Sequence, residues 1–269
     1  MLGRSPVPAA TARLPFSHPL LACWGGRLPT VYNPLMLGFV AAAGLATLAA
    51  AGYNTMAPRS QLFGRTFTGI EPESRQLALT FDDGPNDPWT QRLLEVLNRH
   101  QVRATFFLIG RYVAQRPEIA QQIAAAGHVV GNHTWDHPNL IFVRPAEVER
   151  QIQRCAQALQ QAVGPHSTLF RPPFGGRTPQ ALRAVRRCGL QPVLWSISGR
   201  DWEAKSAAYI ENKIVRGMEG GEVILLHDGG HRSLGADRSF TVTAVDHLIA
   251  RCHEQGFNFV TVPQMMPAA

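Results

Sequence analysis

Charge is scarce in this 269-residue chain: Asp, Glu, Lys and Arg together make up 17% of it, against 45% hydrophobic residues. Such a balance describes a globular protein, and the length allows one large domain plus an extension. The 26 basic and 19 acidic residues leave a net +7, part of it from Arg4, Arg13 and Arg27 near the N-terminus. No Lys/Arg block and no interleaving of aromatic with basic residues occurs, so nucleic-acid binding is not read here. A modest gain in encounter with an anionic cell wall or membrane surface is the most that +7 supplies. Cysteine is equally sparse. Cys23, Cys155, Cys188 and Cys252 show neither CxxC nor zinc-finger spacing. The last three fall in helix-like segments, where Cys packs as a small apolar side chain, and no disulfide is argued.

Long apolar runs are also rare, and the one that occurs is informative. Residues 1–34 carry Pro, Gly, Ala and a few Arg without periodicity, and are expected to be a disordered cytoplasmic tail. Residues 35–53 follow, with no charge between Arg27 and Arg59 and no polar face. A span needs about 17–25 apolar residues, and arginines before the run with none close behind it place the N-terminus in the cytoplasm. Ala49-Ala50-Ala51 resembles a cleavage site, but the preceding region is long for a signal peptide. The expectation is a retained membrane anchor with an extracytoplasmic domain, or a secreted one if the segment is cleaved. Residues 54–75 read as a polar linker.

From Leu77 the chain alternates. Strand-like runs cover 77–81, 104–110, 129–133, 169–174, 190–198, 222–227 and 258–262. Helix-like segments cover 90–100, 117–126, 145–163, 178–188, 206–218 and 242–255. Thr90, Thr178 and Ser206 stand at N-cap positions, and Gly127, Gly164, Gly189 and Gly256 follow helix ends. The alternation predicts a parallel sheet of right-handed βαβ units. Seven strands suit a closed or nearly closed barrel better than an open doubly wound sheet. Either way, functional groups belong at the C-terminal ends of the strands.

That is where the polar motifs fall. The first strand ends in Asp82-Asp83-Gly84-Pro85, two carboxylates that leave an extended chain in opposite directions, one free to meet a cation and the other to act as a base. The third is followed by His133-x-x-x-His137, two imidazoles that reach one cation if the segment turns helically. With Asp83 they would form a two-His-one-carboxylate site with open positions, the pattern of a catalytic metal. The fourth leads into Arg171-Pro172-Pro173-Phe174-Gly175-Gly176, fixed by proline and freed by glycine, with Arg171 available to a carboxylate.

Taken together, Thr80-Phe81-Asp82-Asp83-Gly84, His133-Thr134-x-x-His137-Pro138, Arg171-x-Pro173-Phe174-Gly175, Asp201-Trp202 and Leu226-His227-Asp228 resemble the polysaccharide deacetylases, the NodB-homology domain of carbohydrate esterase family four. The likeness covers about residues 75–265. It implies an α/β fold, a distorted (β/α)7 barrel over residues 76–266, and a metal-dependent deacetylase of N-acetylated sugar polymers, usually with Zn2+. Carried over, Asp83, His133 and His137 would hold the metal, and Asp82 would be the general base for the attacking water, kept ionised and aimed by Arg171. The backbone N–H of Phe174 would be an oxyanion donor. His227 would protonate the leaving amine, its pKa raised by Asp201, and Trp202 and Leu226 would wall a pocket for the acetyl methyl. Two departures stand out: Ser198 occupies the place where the fourth motif commonly begins with Asp, and Phe174 stands where Tyr is common.

The remaining candidates read as structural. His100, His247 and His253 lie on helix segments, His128 precedes a strand, and Asp87 and Asp136 are loop groups. His231 falls in a loop at the active-site end, where substrate contact is the less expected of its roles. The implied partners are an N-acetylated polysaccharide and, through the N-terminal segment, a membrane, with a monomeric catalytic domain. Alternatives that keep this fold are an O-acetyl esterase on acetylated xylan and a non-catalytic glycan-binding module. The second predicts decay of the base or ligands, and Asp82, Asp83, His133, His137 and His227 are all in place.

Overall fold

The structure is a computed structural model and describes residues 34–267. The expected disordered tail, Cys23 and the three N-terminal arginines lie outside the described residues. The chain divides into two compact units at Leu45–Ala46. Helix α1, Pro34–Met56, carries the apolar run and is solvent-exposed along its apolar window.

The second unit is built on an eight-stranded, all-parallel sheet. β1 (Gln76–Asp82), β2 (Thr105–Leu108), β3 (Val129–Asn132), β4 (Leu169–Phe170), β5 (Gln191–Pro192), β6 (Ile197–Ser198), β7 (Glu222–His227) and β8 (Asn258–Phe259) pair in the order β5-β4-β3-β2-β1-β7-β6, with β8 on the start of β1. Helices α2 (Trp89–Arg99), α3 (Gly110–Gln115), α4 (Pro117–Ala125), α5 (Pro145–Val163), α6 (Pro179–Arg187), α7 (Ala207–Val215), α8 (Ser239–Glu254) and α9 (Val262–Met265) fill the connections. The sheet curls into a half-barrel of the expected (β/α)7 type.

Alternation along β1 sorts the interior. Leu77, Leu79 and Phe81 pack outward with Leu93, Leu97, Val245 and other residues of the helical layer. Ala78 faces inward, where Phe107, Leu169, Val193, Val223, Val262 and Met265 fill the barrel. Thr80 and Asp82 share the parity of Ala78, so the strand's last carboxylate emerges inside. Register carries function directly: Asp82 lies opposite His227 on β7 and Phe107 on β2.

Three expectations need correction. The run 190–198 is not one strand but two, β5 and β6, at opposite edges of the sheet. Residues 193–196 cross between the edges, held by Leu194 N–H to Phe67 O (2.8 Å) and Ser196 N–H to Val223 O (3.0 Å). Strand-like composition cannot distinguish one long strand from two short ones joined by such a crossing. Second, Thr90 does not cap α2, whose N-cap is Pro88. Its hydroxyl donates to Asp228 Oδ2 and accepts from Asn86 N–H. Thr178 and Ser206 do cap α6 and α7, accepting from Ala181 N–H and Tyr209 N–H. Third, the last strand stops at Phe259, and Val262 begins a helical turn that plugs the barrel floor.

Residues 54–75 lie against the sheet. Phe67 bridges Val193, Gly69 bridges Glu222, and Ile70 N–H donates to Gly221 O at 2.9 Å, so this segment crosses the gap between the two sheet edges.

Candidate active site

The strand ends bring together Asp82, Asp83, Asp201 and Asp228 with His133, His137, Arg171, His227 and His231. Asp82 and Asp83 close β1, and Asp83 turns away with φ 72°, a conformation that costs a non-glycine residue about 1–3 kcal/mol. Gly84 then brings the chain against the β7 loop: a Cβ there would sit 2.1 Å from Asp228 Oδ2, so only glycine lets the two loops close on each other.

His133 and His137 do reach one point, but not through a helical turn. The segment bends through Thr134 (φ 68°) and His137 (φ 64°). It is caged by neighbours: Thr134 N–H donates to Asn132 Oδ1 (2.9 Å), and Trp135 and Asp136 N–H both donate to Gln151 Oε1 at 3.1 Å. His133 Nδ1–H donates to Arg171 O at 2.7 Å, which fixes the tautomer and turns the Nε2 lone pair toward the carboxylates. His133 Nε2 lies 3.6 Å and His137 Nε2 3.3 Å from Asp83 Oδ1.

These three residues offer ligand atoms all within 4.8 Å of one another. Asp83 Oδ1 is buried with no hydrogen-bond partner, a state that costs a carboxylate dearly unless a cation completes it. Burial alone would raise the Asp83 pKa, yet His133, His231 and His137 hold it well below the usual carboxylate range. Burial pushes His137 down to about 2, keeping its imidazole neutral against the pull of Asp83. A buried carboxylate beside two imidazole nitrogens forms a donor set that fits a divalent metal.

Behind this triad sits Arg171, fully buried. It donates to Asp82 Oδ1 (2.8 Å), Thr80 Oγ1 (2.7 Å) and Leu194 O (3.1 Å), with its guanidinium 4.2 Å from the Phe107 ring centre. Asp82 Oδ2 remains on the metal side, 3.8 Å from His133 Nε2.

Across the cavity, Asp201 opens the short turn Asp201–Glu203 behind Arg200 (φ 50°). Its Oδ1 accepts from His227 Nδ1–H at 2.8 Å, and its Oδ2 accepts from His227 N–H (2.8 Å) and Thr241 Oγ1–H (2.9 Å). Burial opposes charge on His227, but the Asp201 carboxylate overrides it and pushes the imidazole up to about 9. The adjacent Asp228 is pushed by burial up to about 7, despite the Thr90 hydroxyl it accepts from.

Asp82, Asp83, His133, His137 and His227 all line one cavity of about 500 Å3. Phe174 and Trp202 stand half-exposed at its mouth, Phe174 against His137 (4.5 Å between ring centres) and Trp202 edge-on to His227 (5.3 Å). Leu226 is not there. It is buried in the outer layer, and Leu225 lines the cavity instead. Successive strand residues face opposite ways, so the neighbour that shares the cavity with His227 comes from Leu225, not from Leu226. Sequence reading also missed Trp195, which lies under Gly175, and Met56. His231 stacks on His137 at 4.7 Å, closer to the centre than its loop position suggested. His128 accepts Ala104 N–H and is structural. Cys155, Cys188 and Cys252 are free thiols.

A family model described as polysaccharide deacetylase matches residues 69–193. A chitooligosaccharide deacetylase of Azorhizobium caulinodans is 36% identical over 201 residues, spanning 72% of this chain and 96% of the relative. A peptidoglycan-N-acetylglucosamine deacetylase of Bacillus cereus is 38% identical over 192 residues, 71% of this chain and 68% of its own length. Among solved structures, a peptidoglycan N-acetylglucosamine deacetylase in complex with 4-naphthalen-1-yl-N-oxidanyl-benzamide superposes with a TM-score of 0.71 at 34% identity, covering 76% of this chain and 94% of that one.

Proposed function

The chain belongs to the polysaccharide deacetylase family, and from that premise we propose that it hydrolyses the acetamide of N-acetylglucosamine units in a cell-wall or extracellular polysaccharide, peptidoglycan or chitin-like, with a divalent metal, Zn2+ by donor chemistry, at Asp83, His133 and His137. The metal would supply Lewis acidity, polarising the acetyl carbonyl and making a water acidic enough to lose a proton near neutral pH.

The rest belongs to side chains of this protein. Asp82 takes the proton of the attacking water through Oδ2, because Oδ1 is held by Arg171 at 2.8 Å and Arg171 is itself fixed on Thr80. Negative charge developing on the carbonyl oxygen is met by the Phe174 backbone N–H. His227, with Nδ1 bound to Asp201, offers Nε2–H to the departing amine, and its raised pKa keeps that proton available at neutral pH. Trp202 and Leu225 wall the acetyl methyl and exclude water. The observation that carries the reading is the β1–β7 register, which sets Asp82 opposite His227 with the donor triad beside them.

The domain plan is proposed with it: residues 1–34 cytoplasmic, 35–53 a retained anchor, and 76–266 catalytic and extracytoplasmic. Retention is supported by α1 running unbroken past Ala49-Ala50-Ala51, with Asn54 Nδ2–H and Thr55 Oγ1–H donating back to Ala50 O (2.7 Å) and Ala51 O (2.8 Å). Acetate release from N-acetylglucosamine oligomers, peptidoglycan and acetylated xylan tests the function, each with Zn2+, after chelation, and with Asp82→Ala. Chelator-sensitive release from the amide substrates that disappears in the variant is expected. Release from xylan alone would replace the amidase by an esterase, and no release from metal-loaded protein would overturn the reading.

A further inference from the structure

The cavity and the end of the apolar helix are joined by one side chain. Arg177 is 1% exposed and reaches in two directions. Its Nη1–H donates to Gly175 O at 3.1 Å, next to Phe174 at the cavity mouth. Its Nη2–H donates to Ala57 O and to Ser60 O (2.9 Å), and its backbone N–H donates to Thr55 O at 3.2 Å. A guanidinium on the terminal carbonyls of a helix satisfies groups that lack intrahelical partners and complements the helix dipole. Met56, the last residue of α1, itself lines the cavity. The segment read from sequence as a polar linker therefore supplies no slack between helix end and catalytic loop.

A second set of observations describes the surface around that junction. Because α1 runs on to Met56, exposed Arg59 follows it closer than the reading of residues 35–53 as the span allowed for, and exposed Arg65 comes next, with Leu62 between them 70% exposed. Exposed Arg232 stands at the cavity lip. Arginines whose apolar stems and neighbouring Leu can enter the headgroup layer while the cations face anionic phosphate make a membrane-interface composition.

We propose that the catalytic mouth is held at the bilayer surface, so that the enzyme deacetylates the membrane-proximal sugars of a glycan carried by a lipid in the same membrane. This rests on the deacetylase reading and on α1 as a retained span. If the span leaves the bilayer near Met56, a cavity that Met56 lines has its mouth at the headgroups, and sugars many units away lie beyond reach. Lipid-carried substrate confined to the same surface is met at high effective concentration without any new contact. The anionic link between such a lipid and its sugar meets Arg232 at the cavity lip.

The test uses the full chain in phosphatidylethanolamine/phosphatidylglycerol vesicles. Three forms of one N-acetylglucosamine tetramer are compared: joined directly to a dialkylglycerol lipid, joined to it through a long poly(ethylene glycol) spacer, and free in solution. The second protein carries a Gly/Ser insert of about twenty residues after Gly52, which adds roughly 25 Å of flexible reach. Rates are normalised to the free tetramer, which also reports that each protein is folded. For the uninserted chain kcat/KM is expected to be at least about tenfold higher on the direct than on the spaced conjugate, and the insert is expected to bring the two within about twofold. Equal rates on both conjugates by the uninserted chain, or a preference that survives the insert, would overturn the placement while leaving the deacetylase intact. Absence of acetate from all three forms would instead count against the deacetylase reading.

Discussion

Two buried carboxylate–cation pairs face each other across the cavity, and they are built for opposite purposes. Asp82 is paired with Arg171, a guanidinium that fixes Oδ1 at 2.8 Å and has no proton to give in the working pH range. Asp201 is paired with His227, a cation that can give its proton away. On the proposed mechanism the carboxylate of the first pair is the working group and its cation the scaffolding; in the second the roles are exchanged. Asp82 and His227 stand opposite each other on adjacent strands, each bound first to its own partner, so the acceptor and donor of the proposed mechanism share one cavity without pairing together.

The largest break in that comparison is Asp82→Asn, which removes the acceptor and leaves the second pair whole. It is expected to lower kcat about a thousandfold with unchanged metal content by atomic absorption. Asp201→Asn attacks the other pair and is expected to lower kcat about a hundredfold. It also carries a pH signature. On the proposed mechanism His227 acts protonated, and Asp201 raises its pKa to about 9, so activity is expected to persist below that value and fall as pH rises through it. The same sign holds for stability: the pair's contribution is full below the unfolded imidazole pKa and is lost through the folded one. In Asp201→Asn the basic limb of kcat/KM should move down by more than about one pH unit, towards the ordinary imidazole value.

Arg171→Met tests the scaffolding directly, leaving Asp82 buried without its counter-charge. A stability loss of about 3–5 kcal/mol in urea melts is expected. Next in size is the pair of neighbours on β7. Leu226→Ala should cost about 2–5 kcal/mol of stability with KM unchanged, whereas Leu225→Ala should raise KM for the acetylated sugar, since only Leu225 lines the cavity. Smallest is Trp202→Ala. The side chain is half-exposed and touches His227 edge-on, so a KM rise of about threefold to tenfold with kcat nearly intact is expected in initial-rate assays.

The comparison also separates what the sequence made legible from what it did not. The order of motifs at strand ends and the bounds of α5 could be read directly, because Asp82-Asp83, Arg171 and His227 each close an apolar run and α5 is flanked by Pro145 and Gly164. The error at Leu226 was avoidable: alternation along β7 puts Val223 and Leu225 on the barrel side and Ile224 and Leu226 on the helical side. The split of 190–198 was not avoidable, since Val193–Ser196 is as apolar as the strands it joins and only pairing with Phe67 and Val223 reveals the crossing. Nor was Thr90, whose hydroxyl serves Asp228 from 138 residues away rather than its own helix. Contacts of that separation leave no local pattern. The same holds for Arg177, whose sequence neighbours give no hint that it grips residues 55–60.

The crossing at 193–196 has a consequence for how such a barrel can diversify. Its two edges are joined by covalent chain and a borrowed segment, not by a ladder of strand hydrogen bonds, while the two carboxylate–cation pairs hang from β1, β4, β7 and the turn after β6. Lengthening that crossing would open the groove on the Trp195 side, the way a seam is let out, but it would also shift Leu194 O, which helps to hold the Arg171 guanidinium on Asp82. Groove width and the aim of the Asp82–Arg171 pair are thus stitched together at one short stretch of chain.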